Sequence, residues 1–422
     1  MTFDYAHLIP VVPEIAVLVL ASTLLLVDLW LKDREKGINH VIAVLGLLIA
    51  IGLTGLVGGG DREIVLGGTY VRDPMSDLLK IAILLISLLT FVYSRDYLRD
   101  RQMMVGEFYV LTLFAVLGMM VMVSANSFLT LYLGLELLAL SLYTLVAFDR
   151  DSPTGAEAAM KYFVLGALGS GLLLYGLSML YGATGSLELG AVAGAVAMQG
   201  ATNQVLVFGL VFVVIGIGFK FGAVPFHMWT PDVYEGAPTP ITGFMATGVK
   251  AAAFAALVRI FITAFAPLWS QETLLAVLFV LAVLTMTLGN VTAIAQRNVK
   301  RMLAYSSIAH AGYLLVGAAA LAGSGVPLSG AGMAPIFSSG SSILFYLLAY
   351  TFMTLGAFGV LVALEREKQV AQTLDTLSGL STRRPGLAAL MAIFMFSLTG
   401  VPPFIGFAAK FYIRQSAVTT EL

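Results

Sequence analysis

The sequence predicts an all-α fold, a polytopic membrane helix bundle of about twelve spans, and three observations carry that prediction. Of 422 residues, 59% are hydrophobic and only 11% are charged, with a mean hydropathy of +0.94, so polar surface is too scarce to wrap the chain in water. Apolar stretches of roughly 17 to 25 residues recur along the whole length, each able to cross about 30 Å of hydrocarbon at about 1.5 Å per residue. The connections between them are short, and basic residues collect in every other one.

In chain order the spans are expected at 11–31, 40–58, 75–94, 107–124, 126–148, 156–182, 204–230, 241–266, 273–294, 302–322, 341–364 and 386–412, the seventh and twelfth being interrupted. The leading "MTFDYAHLIPVVPE" has no basic segment of the kind that precedes a cleaved signal, so the first span reads as a retained helix. Alternate connections hold Lys32, Arg34 and Lys36; Arg95, Arg99 and Arg101; Arg150; Arg297, Lys300 and Arg301; and Arg366, Lys368, Arg383 and Arg384. The opposite side has only Arg62, Arg72 and Arg414. The positive-inside rule then puts the basic side in the cytoplasm and the N-terminus outside. The glycine-rich runs "GALGSGLLLYG" and "AGAVAMQGATNQ" read as close packing between membrane helices. The segment "AGSGVPLSGAGMAPIFSSGSS" reads as a polar loop without a site.

Composition also narrows the chemistry. Cysteine is absent, which excludes a disulfide framework, a thiolate nucleophile and cysteine-ligated iron–sulfur clusters in this chain. A net charge of −1 gives no footprint for nucleic acid.

Function is expected at the six basic residues inside spans: Lys80, Lys161, Lys220, Lys250, Arg259 and Lys410. Glu136, ten residues after Asn126 in "SFLTLYLGLELLALSLYTLVAF", lies about 15 Å deep by helix rise. Lys250 lies at similar depth in "ITGFMATGVKAAAFAALVRI". An isolated charge at mid-bilayer costs roughly 2.5 to 3.5 kcal/mol. A single buried Glu–Lys pair could be a structural salt bridge. Four lysines (161, 220, 250 and 410) outnumber the one mid-span carboxylate, Glu136, so a proton-conducting role explains the set better. A lysine in a low-dielectric site can release its proton and a nearby carboxylate can restore it, whereas arginine stays charged. Arg259 is therefore read as structural or snorkelling, and Lys80, five residues into its span, as snorkelling.

Lys220 precedes Gly222 and Pro225, so the hydrogen-bond ladder is expected to break just after it, beside water. "MFSLTGVPPFIGFAAKFYI" repeats the combination, with a break at Gly400–Pro403 followed by Lys410. Two broken helices, each with a lysine, suggest paired transporter-like repeats. His310, with Tyr305, Ser306 and Ser307 nearby, could be a hydrogen-bonded helix contact or a relay, and Lys161 could snorkel or relay. His227 and Trp229 are read as interfacial anchors.

The runs "FGAVPFHMWTPDVYEGAPTPITGF", "NVTAIAQRNVKRMLAYSSIAHAGYLL" and "SLTGVPPFIGFAAKFY" closely resemble the antiporter-like membrane subunits of proton-pumping NADH:quinone oxidoreductase, respiratory complex I, in the subunit N branch. The M branch typically carries a glutamate where this chain has Lys410. The resemblance implies an N-terminal three-helix segment (1–100) and two inverted five-helix repeats, at 107–266 and 273–422. It implies Glu136 and Lys220 as a coupling pair, Lys250 as a central relay, Lys410 at an exit half-channel, and Lys161 and His310 as further relay positions. NADH, flavin, iron–sulfur clusters and quinone are expected in other subunits. Subunit M and small subunits such as K are the expected neighbours, in the bacterial cytoplasmic (inner) membrane. The family usually has fourteen spans; here the polar tail "FYIRQSAVTTEL" does not read as the start of another, so the second repeat would lack its last helix. The alternatives are a subunit of a cation/proton antiporter, or a truncated structural subunit that does not conduct.

Overall fold

The computed structural model describes residues 5–32, 35–199, 203–265, 267, 272–323, 339–365 and 373–419. Arg34, Arg366, Lys368 and most of the 322–342 loop lie outside the described residues.

A 3-10 turn, Tyr5–Val11, leads into α1 (Val12–Asp28), followed by α2 (Gly37–Val57). A hairpin of β1 (Glu63–Val65) and β2 (Tyr70–Arg72) then precedes α3 (Pro74–Asp100). This helix starts on a capping box in which Asp73 and Ser76 satisfy each other's backbone amides, with Pro74 in the first turn. The hairpin was not foreseen. It lies between two spans, where Tyr70 bridges to Ala125 and caps that end of the bundle.

Next come α4 (Gly106–Val123), α5 (Phe128–Val146) and α6 (Pro153–Thr184). A short helix α7 (Leu189–Gln199) precedes α8 (Gln204–Phe221). At 11 residues α7 is too short to cross a bilayer, so the part of "AGAVAMQGATNQ" it contains is not membrane-helix packing as expected. The reading holds for "GALGSGLLLYG": a Cβ added at Gly176 of α6 would sit 2.8 Å from the Gly209 carbonyl of α8.

Beyond α8 follow α9 (Trp229–Gly236), α10 (Thr239–Phe244), a π turn (Met245–Val249) and α11 (Lys250–Thr263). The continuous rod Thr239–Thr263 is almost wholly enclosed by other helices. The remaining elements are α12 (Glu272–Ile294), α13 (Val299–Gly323), α14 (Ser339–Glu365), the short α15 (Leu374–Leu377) and α16 (Leu380–Arg383), then α17 (Pro385–Thr399) and α18 (Ile405–Thr419).

Eleven helices among the described residues are long and apolar enough to cross a membrane. The twelfth expected span is the α17–α18 pair, 15 residues each. The apolar faces of α2, α6 and α12 point outward, with Leu45, Leu168 and Phe279 more than half exposed, while the central helices bury theirs. That inversion suits lipid as the solvent.

Candidate functional site

Both predicted breaks are present and built alike. The helix α8 ends at Gly222 (φ +74°) and α17 at Gly400 (φ +85°), and each is followed by a cis X-Pro bond, Val224–Pro225 and Pro402–Pro403. Other parts of the chain satisfy the freed backbone groups, as a non-helical segment at membrane depth requires. Val224 N–H donates to Thr285 Oγ1 (3.1 Å), and the Trp229 indole N–H donates to the Phe219 carbonyl (2.9 Å). Gly406 N–H donates to Ser397 Oγ (3.2 Å).

Lys220 occupies the last turn of α8, with only 5% of its surface exposed. Among the described residues its Nζ has no hydrogen-bond partner, and neither does the buried Oε1 of Glu136. The two charges interact without being in ion-pair contact. Beside the break, the Thr230 hydroxyl is also buried and, among the described residues, unpartnered, and a Cβ added at Gly222 would come 2.8 Å from it.

Lys250 follows directly on the π turn, a distortion of the helix ladder that often marks functional positions. Its Nζ donates to both the carbonyl and the hydroxyl of Ser307, and stands 5.4 Å from the Tyr350 ring centroid. Tyr350 O–H in turn donates to Ser307 Oγ (2.9 Å). The His310 ring lies 5.0 Å from that of Tyr350, and its Nδ1 is 2.5 Å from the Tyr346 hydroxyl. Tyr313 follows, 5.8 Å from His310, and Lys410 Nζ sits 4.8 Å over the Tyr313 ring. Lys410 also donates to the Leu398 and Thr399 carbonyls, at 2.9 and 3.1 Å, at the end of α17.

Lys250, Ser307, Tyr350, His310, Tyr346, Tyr313 and Lys410 thus form one continuous row. Between Lys220 and Lys250 the row has an apolar step, Phe221 against Phe254 at 5.6 Å.

Several expectations need correcting. Lys80 does not snorkel: it is 1% exposed and pairs with Glu14 at 2.8 Å, and both contact the Tyr70 hydroxyl. Glu136 is consequently not the only carboxylate facing a buried lysine. Arg259 is structural and not snorkelling, because its guanidinium binds Asp73 at 2.7 and 3.0 Å and donates to the Val123 carbonyl at 3.1 Å. Lys161 stands apart from the row, 43% exposed at its side chain, bonded to Asp232 (2.7 Å) and Glu157 (2.8 Å). Trp229 is a buried strut stacked on Tyr162 at 4.8 Å, not an interfacial anchor.

A family profile described as "NADH:quinone oxidoreductase/Mrp antiporter, TM" matches residues 125–422. The NADH-quinone oxidoreductase subunit N of Thioalkalivibrio sulfidiphilus is 46% identical over 423 residues, covering 100% of this chain and 85% of that protein. The subunit N of Thiobacillus denitrificans is 49% identical over 420 residues, covering 99% and 83%. The chain belongs to the NADH:quinone oxidoreductase/Mrp antiporter family, in its subunit N branch. Among solved structures it matches a chain of respiratory complex I from Thermus thermophilus with bound aureothin, with TM-score 0.78, 34% identity, and coverage of 97% of this chain and 83% of that one. A chain of the Mrp complex from Dietzia sp. shares the fold alone, at TM-score 0.82 and 20% identity, covering 100% of this chain and 76% of that chain.

Three groups of this subunit N-type chain escaped sequence reasoning. Asp232 and Glu235 of α9 bind Arg301 at 2.6 and 2.8 Å, and Asp232 also holds Lys161, so a charged network ties α9, just after the first break, to α6 and α13. Glu365, buried at the end of α14, accepts from the Thr239 hydroxyl and lies 3.6 Å from Arg101. Buried Lys300 donates to the Ala237 carbonyl at 2.7 Å. The acidic residues inside "WTPDVYEGAPTP" were the available signal for the first group.

Proposed function

We propose that this chain is a proton-translocating membrane-arm subunit of NADH:quinone oxidoreductase, passing protons through Glu136, Lys220, Lys250 and Lys410. The observation that supports this reading best is the row of hydrogen bonds and ring contacts from Lys250 through Ser307, Tyr350, His310 and Tyr313 to Lys410. Hydroxyl, imidazole and ammonium groups at such spacing can pass a proton by small rotations, with water completing the longer steps. His310 serves as a relay inside the row. Lys161, bound to two carboxylates, supplies or withdraws charge at the mouth of the first break.

In this reading 1–100 is an N-terminal three-helix segment, and 107–266 and 273–422 are the two repeats, a division supported by the two like-built breaks. Redox chemistry belongs to other subunits, which hold NADH, flavin, iron–sulfur clusters and quinone, and this chain supplies no redox group. Quinone reduction there shifts charge toward Glu136, and the attraction between Glu136 and Lys220 transmits it. The neighbours are other membrane-arm subunits, M and K among them. The chain sits in the bacterial inner membrane with its basic connections on the cytoplasmic side.

The test is NADH-driven proton uptake into inverted vesicles whose complex carries Lys250→Met. Uptake is expected to collapse while NADH oxidation by an artificial acceptor persists. Undiminished uptake would remove Lys250 from the path.

A further inference from the structure

A cavity of about 650 Å³ opens on the arginine-rich side of the N-terminal segment, lined by Lys36, Gly37, Arg95, Arg99, Gln102 and Met104. No part of the proposed path reaches it. Three cationic side chains surround it. Arg99 is held by Asp96 (3.4 Å) and Asp100 (3.2 Å), and Lys36 lies 3.7 Å from Asp28. Arg95 has no carboxylate partner among the described residues.

The backbone adds to the positive field. Gly37 opens α2 and lines the cavity, and that helix start has neither a side-chain cap nor an acidic residue in its first turn; at the α4 start the Asp28 carboxylate already stands beside Gly106, and Glu107 lies in the first turn. Uncapped amides with the positive end of the helix dipole favour an anion. The cavity is far roomier than one inorganic phosphate needs.

The surface beneath the cavity identifies the ligand class. On α3, Leu78, Leu85, Val92 and Arg99 follow at seven-residue steps and therefore share one face. Their exposures are 38%, 42% and 55% for the three apolar residues, and 61% for the Arg99 side chain. On α2, Val41, Leu45 and Ile49 are 50%, 54% and 61% exposed below Gly37. An anion-binding basin thus tops two apolar tracks that run into the membrane.

We propose that this cavity binds the phosphate headgroup of an anionic phospholipid, with its acyl chains along α2 and α3. Lysine and arginine clusters at a membrane surface attract anionic lipid by a term equivalent to about a fivefold change in affinity for each charge.

The experiment uses the delipidated complex in detergent, with phosphatidylglycerol, phosphatidylcholine of the same chains, glycerol phosphate and inorganic phosphate as probes. Phosphatidylglycerol is expected to bind tightest, and Lys36→Gln with Arg95→Gln should weaken it about twenty-five-fold, the product of two such steps. Equal binding of phosphatidylcholine, or no loss in the double variant, overturns the proposal. Competition by inorganic phosphate or glycerol phosphate at concentrations equal to the lipid's also overturns it, by pointing to a free anion. Should the double variant not assemble, a photoreactive phosphatidylglycerol on the wild-type complex decides: labelling at residues 36–45 or 85–105 supports the site. Labelling elsewhere, or labelling of a neighbouring subunit over this face, overturns it.

Discussion

Replacing Lys220 by arginine separates proton release from charge. Among the described residues Lys220 Nζ is buried without a hydrogen-bond partner and feels Glu136 across a gap wider than ion-pair contact. Unit charges at 4 Å gain about 4 kcal/mol at an effective dielectric near 20, so the attraction here lies below that ceiling. A proton moved against about 150 mV needs roughly 3.5 kcal/mol. A swing of about 2 to 4 kcal/mol as Glu136 approaches and withdraws is therefore of the right size. It corresponds to roughly a thirty- to nearly thousandfold change in proton occupancy. Arginine keeps the attraction but does not release its proton. Lys220→Arg should assemble with normal NADH oxidation by an artificial acceptor and lose NADH-driven uptake in inverted vesicles by at least about tenfold. Glu136→Gln should do the same for the complementary reason, that nothing then drives the swing. Uptake above half the wild-type rate in both variants would refute the reasoning.

Ser307→Ala removes the hydroxyl shared by Lys250 and Tyr350, and uptake should fall by about tenfold, matching the loss of a hydrogen bond to a charged group at about 1.5 kcal/mol; Ser307→Thr should restore most of it. Arg259→Gln strands Asp73 and should cost about 3 to 5 kcal/mol in thermal or denaturant unfolding of the purified chain. Although burial pushes the Asp73 carboxyl up, its bonds to Arg259 and Ser76 outweigh that and hold it below the usual range. Its contribution is present at neutral pH and disappears as pH falls through the carboxylate range, so the unfolding midpoint of Arg259→Gln should depend less on acid than the wild type's. Gly222→Ala forces an alanine to φ +74° at a cost of roughly 1 to 2 kcal/mol and pushes on Thr230, so uptake should drop with the assembled amount of complex unchanged.

Hydropathy located the eleven spanning helices among the described residues because lipid imposes one rule on every crossing segment, that its backbone polar groups be satisfied internally. The breaks after Lys220 and before Lys410 were legible because glycine and proline act locally. What escaped was set by distant parts of the chain. Lys80 looked like a snorkelling residue from its position in α3, but its fate depends on Glu14, 66 residues earlier, and on the Tyr70 hydroxyl beside it. Tyr346 and Tyr350 of α14 and Ser307 of α13 have no periodicity to betray that they line up beside Lys250 and His310. Trp229 has the composition of an interfacial anchor, and only its packing on Tyr162 shows it to be buried.

The two breaks differ in one respect that bears on the direction of coupling. Lys220 lies in the last turn of α8, and Lys410, carried by α18, reaches the last turn of α17, both ends where the helix dipole favours a cation. Lys410 uses that end directly, donating to the Leu398 and Thr399 carbonyls. Among the described residues Lys220 has no such acceptor, and the charge that acts on it is Glu136. A cation held by fixed carbonyls changes little when a distant carboxylate moves, whereas one held only by that carboxylate follows it. On the proposed path Lys220 is then the responsive end and Lys410 the anchored end. Removing Glu136 should alter the chemical reactivity of Lys220 toward an amine-selective reagent in the assembled complex and leave that of Lys410 unchanged; equal changes at both would show that the carbonyl ligands do not insulate Lys410.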